Sequence, residues 1–192
     1  MALTISFFVP NELTWHFRYK DIPRQRIDGF YLKLLFILEE KFPKTKIVML
    51  PQTYNSSVND FAYFERLKSR SQSKNIVVVD ENRSSDVQQA IISGARLVVG
   101  ARYHSIVFAL NNNVPFISLS YEHKMKGLLE KLGFTKDMVE IQDIFDDGAN
   151  AALEHTFNMF RELIASEPSR PNSAEARGIV RTGFQNMLGM LR

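Results

Sequence analysis

The sequence contains no cysteine, which excludes disulfides and thiolate-bound metals and fits a reducing cytoplasm. It also lacks any apolar stretch approaching the roughly 20 residues a membrane-spanning helix needs. The first ten residues, Met1 to Pro10, carry no basic residue, and their apolar run is too short for a secretion signal. A soluble, cytoplasmic protein is the expectation. Charge of one sign is scarce as well: Lys and Arg number 24 against 21 Asp and Glu, for a net +3. These charges are scattered, without the basic stripe that nucleic acid demands, although a local anion site is compatible with them. His16, His123 and His155 share no ligand spacing, so no metal is expected. No glycine-rich dinucleotide fingerprint and no P-loop follows any strand, so no cofactor is expected either.

What the sequence does contain is a strict alternation of short apolar runs and amphipathic stretches. Strands are predicted at Ile5–Val9, Lys46–Leu50, Asn75–Val79, Leu97–Val99, Pro115–Leu119 and, as a short edge strand, Met138–Ile141. Ile27, Phe30, Tyr31, Leu34, Leu35, Leu38 and Phe42 recur at helical spacing, with Pro23 suited to the first turn. Further helices are predicted over Val58–Leu67, from Ser85 to Gly94, His104–Leu110, Lys124–Leu132 and Ala151–Ala165. Ser85 and Gln88 have the spacing of a capping box, Gly100 permits a sharp turn, and Asn111 to Asn113 form a helix exit. Continuous apolar strands separated by helices imply an α/β fold, a doubly wound and mostly parallel sheet flanked by helices on both faces. In such sheets ligands bind beyond the carboxyl ends of the strands. Function is therefore sought after Leu50, Val79, Val99 and Leu119.

After Val99 come Gly100, Ala101, Arg102, Tyr103, His104 and Ser105. This places Arg102 and His104 at a strand exit and the first turn of a helix, where unpaired N–H groups attract phosphate or carboxylate. Arg102 adds a planar fork for an oxyanion, and His104 is a candidate acid–base group. A surface ion pair for Arg102 and a capping role for His104 are the plain structural alternatives. After Leu119, Tyr121, Glu122 and Lys124 again occupy a strand exit and helix start. Lys124 offers a second positive charge and Tyr121 a ring to close over a bound anion, set against the ordinary solvated face of a helix. After Leu50, Gln52 and Asp60 are candidates for the hydroxyls of an acceptor, although Asn and Asp are also common turn and cap residues.

Taken in order, these segments resemble the polysaccharide pyruvyl transferase family. The resemblance rests on the strand Arg96-Leu97-Val98-Val99-Gly100, the Arg-x-His pair at Arg102 and His104, and the apolar helix that ends before Val114-Pro115. It continues through the run from Tyr121 to Gly133, with Pro51-Gln52 and Asn59-Asp60 matching a second-strand loop. It covers about Thr4 to Phe134. It implies a Rossmann-like lobe of a glycosyltransferase B-type architecture that moves pyruvyl from phosphoenolpyruvate to a sugar of a cell-surface polysaccharide, as a ketal. It further implies that Arg102, the Tyr103 backbone and His104 hold the donor. From their places at the strand exits, His104 and Arg102 are the expected catalytic pair, and Tyr121, Glu122, Lys124, Gln52 and Asp60 are expected to line the substrate.

Family members carry two such lobes, and the first has a Gly- and Asp-rich segment that this sequence lacks. The expectation is a carboxyl-terminal half, a truncated product or a subunit, completed by a missing amino-terminal lobe or a homo-oligomer. Within it, 1–165 is expected to form the donor-binding lobe. A Pro- and Ser-rich break and last helix, 166–192, would pack on that lobe or cross to the missing one. Two rivals remain: a nucleotide-sugar lobe of a glycosyltransferase or epimerase, with Glu122 as its ribose ligand, and a non-catalytic binding domain.

Overall fold

The structure, a computed structural model, describes residues 2–6, 22–53, 59–79, 83–121, 123–141, 154, 155, 157–159 and 162. The loop read at 11–21, Glu122, and the break and final helix of 166–192 lie outside the described residues. Among the described residues as far as Ile141, twelve elements follow one another. They are β1 (Ala2–Ser6), α1 (Arg24–Lys41), β2 (Lys46–Met49), α2 (Asp60–Ser71), β3 (Ile76–Val78) and α3 (Ser85–Ser93), then β4 (Ala95–Gly100), α4 (Tyr103–Asn111), β5 (Phe116–Ser120), α5 (His123–Lys131), a 3-10 turn (Thr135–Asp137) and β6 (Met138–Glu140). The strands form one sheet in the order β3-β2-β1-β4-β5-β6, and every pairing is parallel. This is a doubly wound α/β fold, whose strand order reverses direction between β1 and β4.

The winding follows from the central strands β4 and β5, which are buried on both sides. All five residues of β5 are buried, as are five of the six in β4, so each strand needs helices above and below. One face packs Leu97, Val99, Ile117 and Leu119 against Tyr31, Leu34, Leu35 and Leu38 of α1 and Tyr63, Phe64 and Leu67 of α2. Phe157 and Met159 join the same core, and the Lys33 ammonium lies 5.3 Å from the Phe157 ring centroid. The other face packs Val98 and Phe116 against Ile92 of α3, Ile106 and Ala109 of α4, and Met125 and Leu129 of α5. Strands β3 and β6 are the outermost of the described strands, in keeping with the edge position expected of β6.

Helix α1 is fixed to α2 by more than apolar area. Asp28, buried on α1, accepts from the Tyr63 hydroxyl at 3.0 Å and Arg66 Nη2 at 3.2 Å, and pairs also with Arg70. Burial and the neighbouring Asp28 carboxylate together push the Tyr63 phenol far above its ordinary range.

The helix ends follow local rules with two corrections. Gly133 closes α5 with φ of 75°, and Phe134 N donates to Leu129 O at 2.8 Å, a Schellman closure that glycine suits. Asn113 does the same for α4, with φ of 53°. Gly94, by contrast, ends α3 with an ordinary right-handed φ of −85°, so its position does not require glycine. The predicted capping box is also absent. Ser84 is the N-cap of α3 and its side chain makes no cap bond, while Gln88 is turned to other partners.

The 3-10 turn holds one strained charge. Burial raises the Asp137 carboxyl above its ordinary value of 3.8, with Lys136 opposing the rise. A carboxyl whose folded value is raised loses stability as pH climbs from the ordinary carboxylate range through that folded value. Asp137→Asn is therefore expected to raise the Tm by about 1–3 °C at pH 7, with the gain shrinking as thermal melts are taken toward pH 4. A less stable variant at pH 7 would mean that the ionised carboxylate is favourably paired.

Candidate functional site

Three of the sequence-predicted residues, Gln52, Asp60 and Arg102, meet at the carboxyl edge of the sheet, on either side of the strand-order reversal. β4 ends at Gly100, paired in register with Ser6 at the end of β1. Arg102 is the N-cap of α4, in extended backbone with φ −88° and ψ 137°. Its carbonyl accepts from Ser105 N at 3.1 Å and from Ser105 Oγ at 2.5 Å. The serine thus folds back on the turn and starts the helix.

Gly100 explains why the turn is so tight. A Cβ at Gly100 would overlap the Ser105 hydroxyl and lie 2.9 Å from Ile106 Cδ1 and 3.1 Å from Ser105 Cβ. The need for glycine here is therefore close approach of helix to strand. The sharp-turn freedom expected from sequence is not its role, since Gly100 is absent from the positive-φ residues.

The Arg102 side chain turns inward. It is only 8% exposed and forms a two-pronged pair with Asp60, Nη2 to Oδ1 at 2.5 Å and Nε to Oδ2 at 3.3 Å. The plain surface ion pair is thereby corrected to a buried one. Asp60 is the first residue of α2, behind the Asn59 cap whose side chain accepts from Ala62 N at 3.1 Å. Fully buried, its Oδ2 also accepts from Gln52 N at 3.0 Å and Thr53 N at 3.1 Å. An ionised carboxylate with this many donors is a well-satisfied buried acceptor. Both Asp60 oxygens are thus engaged inside the protein. Its placement corrects the expectation that Asp60 binds an acceptor hydroxyl: it positions Arg102 instead.

The Asp60–Arg102 pair also joins the two halves of the doubly wound sheet. Asp60 comes from the β1–β2–β3 half, Arg102 from the β4–β5–β6 half, and the guanidinium spans the reversal between them. Tyr31 of α1 lies within electrostatic reach of the pair. Burial raises that phenol well above its ordinary value, Tyr63 and Tyr121 add to the rise, and Arg102 opposes it. Tyr121 packs against the same core from the end of β5.

The remaining candidates sit elsewhere. Tyr103 and His104 are exposed on the first turn of α4, their rings edge to face with centroids 6.0 Å apart. His104 also lies 6.1 Å from the Phe108 ring. Lys124 is exposed at the start of α5, and Lys126 pairs with Glu140 at 2.6 Å. Gln52 is half-buried, its Nε2 donating to Gln88 Oε1 at 3.2 Å. Gln88 was legible in sequence only as a cap, and Ser105 and Tyr31 only as helix residues. The signal that would have paired Asp60 with Arg102 is their common location, since each follows a strand flanking β1 in this strand order.

Residues 34–123 match the family model described as polysaccharide pyruvyl transferase. The amylovoran biosynthesis protein AmsJ of Erwinia amylovora is 28% identical over 88 residues, which make up 45% of this chain and 21% of that relative. The matched segment contains Gln52, Asp60, Gln88, Arg102 and His104. Over residues 34–123, somewhat less than half of its length, the chain is similar to the polysaccharide pyruvyl transferase family.

Proposed function

We propose that the edge of the sheet at β1 and β4 binds phosphoenolpyruvate, as the donor-binding part of a transferase that places pyruvyl on a polysaccharide sugar as a ketal. The observation that carries this reading is Arg102, fixed by a buried carboxylate at the N-terminus of α4, at the position where open parallel sheets bind ligands. The Arg102–Asp60 pair is close to neutral as a unit. Long-range attraction for the donor therefore comes from the first turn of α4 and from Lys124, while Arg102 contributes direction. A guanidinium held before the ligand arrives loses little on binding, which is the advantage of a preorganised site.

In this reading a proton is delivered to the methylene carbon of the donor, and positive charge develops at the adjacent carbon that bears the phosphate ester oxygen. A sugar hydroxyl bonds to that carbon and gives up its proton. The carbon–oxygen bond to phosphate then breaks, and a second hydroxyl closes the ketal as its own proton leaves. His104, exposed on the first turn of α4, is the candidate acid–base group. The glycosyltransferase B-type pairing with a second lobe, the sugar acceptor supplied across it and the cytoplasmic setting belong to this same proposal.

Isothermal titration calorimetry of the chain with phosphoenolpyruvate and with a nucleoside diphosphate tests it. The expected result is preference for phosphoenolpyruvate, with His104→Ala and Arg102→Lys each weakening binding at least about tenfold, or 1.4 kcal/mol. Preference for the nucleotide would replace this reading with a nucleotide-sugar lobe. Binding of neither, with both variants silent, would leave a non-catalytic domain.

A further inference from the structure

We infer that Gln88 is a positioning residue of this site, acting on Arg102 through Gln52 and Asp60. Gln88 lies on α3, packed on the sheet face opposite α2, and is 8% exposed. The neighbouring Ile92 shows what α3 otherwise offers the sheet, and an apolar residue would fill the Gln88 position as well. A buried carboxamide is tolerated only when bonded, and both ends of this one are. Its Nε2 donates to Arg83 O at 2.8 Å, and its Oε1 accepts from Gln52 Nε2 at 3.2 Å.

Gln52 is thereby held at two points. Gln88 fixes its side chain, and Asp60 Oδ2 fixes its backbone N–H at 3.0 Å. The same Asp60 oxygen receives Thr53 N and Arg102 Nε, and Asp60 N donates back to Thr53 O at 3.0 Å. The bonds are in series: α3 to the segment after β2, that segment to the start of α2, and α2 to the turn after β4. Polar chains of this kind in a low-dielectric interior act as a unit. Without Gln88, the segment of Pro51 to Thr53 loses one of its anchors, and the amides that orient Asp60 toward Arg102 are held less rigidly.

The link to donor binding rests on the proposed function, whereas the link to Arg102 does not. The test is made on the full chain by nitrogen-15 NMR, following solvent exchange of the Arg102 Nε–H, a resonance assigned by its loss in Arg102→Lys. Gln88→Met keeps the volume and removes both bonds. It is expected to speed that exchange by about tenfold or more, while the main-chain amides of β4 and β5 stay protected. Gln52→Met is expected to act similarly, and the double variant to be no faster than the faster single one, because the two residues lie in one chain. Should Gln88→Met not fold, Gln88→Asn, which withdraws the amide by one methylene, serves for the same measurement. Unchanged Arg102 exchange in a folded variant overturns the inference, as do additive effects of the two substitutions. A titration with phosphoenolpyruvate separates the two readings. Accelerated exchange in a chain that never binds the donor sustains the positioning role of Gln88 and sinks the donor assignment alone.

Discussion

Asp60→Ala is expected to be the most damaging single substitution in the described part of the chain, lowering stability by about 3–5 kcal/mol. The carboxylate is completely buried and its partner Arg102 nearly so. Removing it leaves a guanidinium in the interior without its counter-charge, together with the Gln52 and Thr53 amides that Oδ2 accepts from. Breaking such a pair costs far more than the pair contributes relative to an apolar replacement, because an uncompensated buried charge is the expensive state. Urea unfolding of the variant measures the loss. The double variant Asp60→Ala/Arg102→Met provides the control, since removing both charges is expected to restore a large part of the stability. A loss below about 1 kcal/mol for Asp60→Ala, the size typical of an exposed ion pair, would show that Arg102 reaches water in solution.

Gly100→Ala is expected to follow, with a loss of about 1–3 kcal/mol, the usual cost of forcing a methyl into a packed interior. The added carbon meets the Ser105 side chain and Ile106 Cδ1. Ser105 cannot swing away cheaply, because it is fully buried and its hydroxyl is tied to the Arg102 carbonyl. The strain therefore falls on the first turn of α4, where the proposed donor is received, and donor affinity should drop more than stability does. Thermal melts together with phosphoenolpyruvate titration separate the two effects. Adding Ser105→Gly removes the obstructing side chain and should recover part of the stability but little of the affinity, since the turn then lacks its hydroxyl cap. A Gly100→Ala variant as stable as the parent would show that the helix sits farther from the strand.

Much of this architecture was legible in the residues. From β2 onward each described strand and α-helix overlaps a predicted segment, with ends displaced by a few residues. By contrast β1, at Ala2–Ser6, shares only Ile5 and Ser6 with the predicted Ile5–Val9, and the 3-10 turn falls in no predicted segment. The overlap arises because β4 and β5 are mostly apolar runs while the buried residues of α1 recur at helical spacing, and those two periods have few other solutions. The errors came where one local pattern fits two structures. Ser85 and Gln88 have capping-box spacing, yet the cap position is Ser84 and Gln88 turns inward to Gln52 and Arg83. Gly94 and Gly133 both read as helix stops, and only Gly133 adopts the left-handed backbone that glycine favours.

The sequence by itself determined the fold class, the parallel sheet and the strand exits at which chemistry was to be sought. Those depend on hydrophobic period, which is a local property of the chain. Which exits meet was decided by the tertiary structure alone. Asp60 and Arg102 are 42 residues apart, and nothing local to either marks it as the other's partner. Only the order β3-β2-β1-β4-β5-β6 brings the ends of β2 and β4 to either side of β1. There a buried positive charge requires a buried negative one, and so an apparent acceptor ligand becomes the anchor of the arginine.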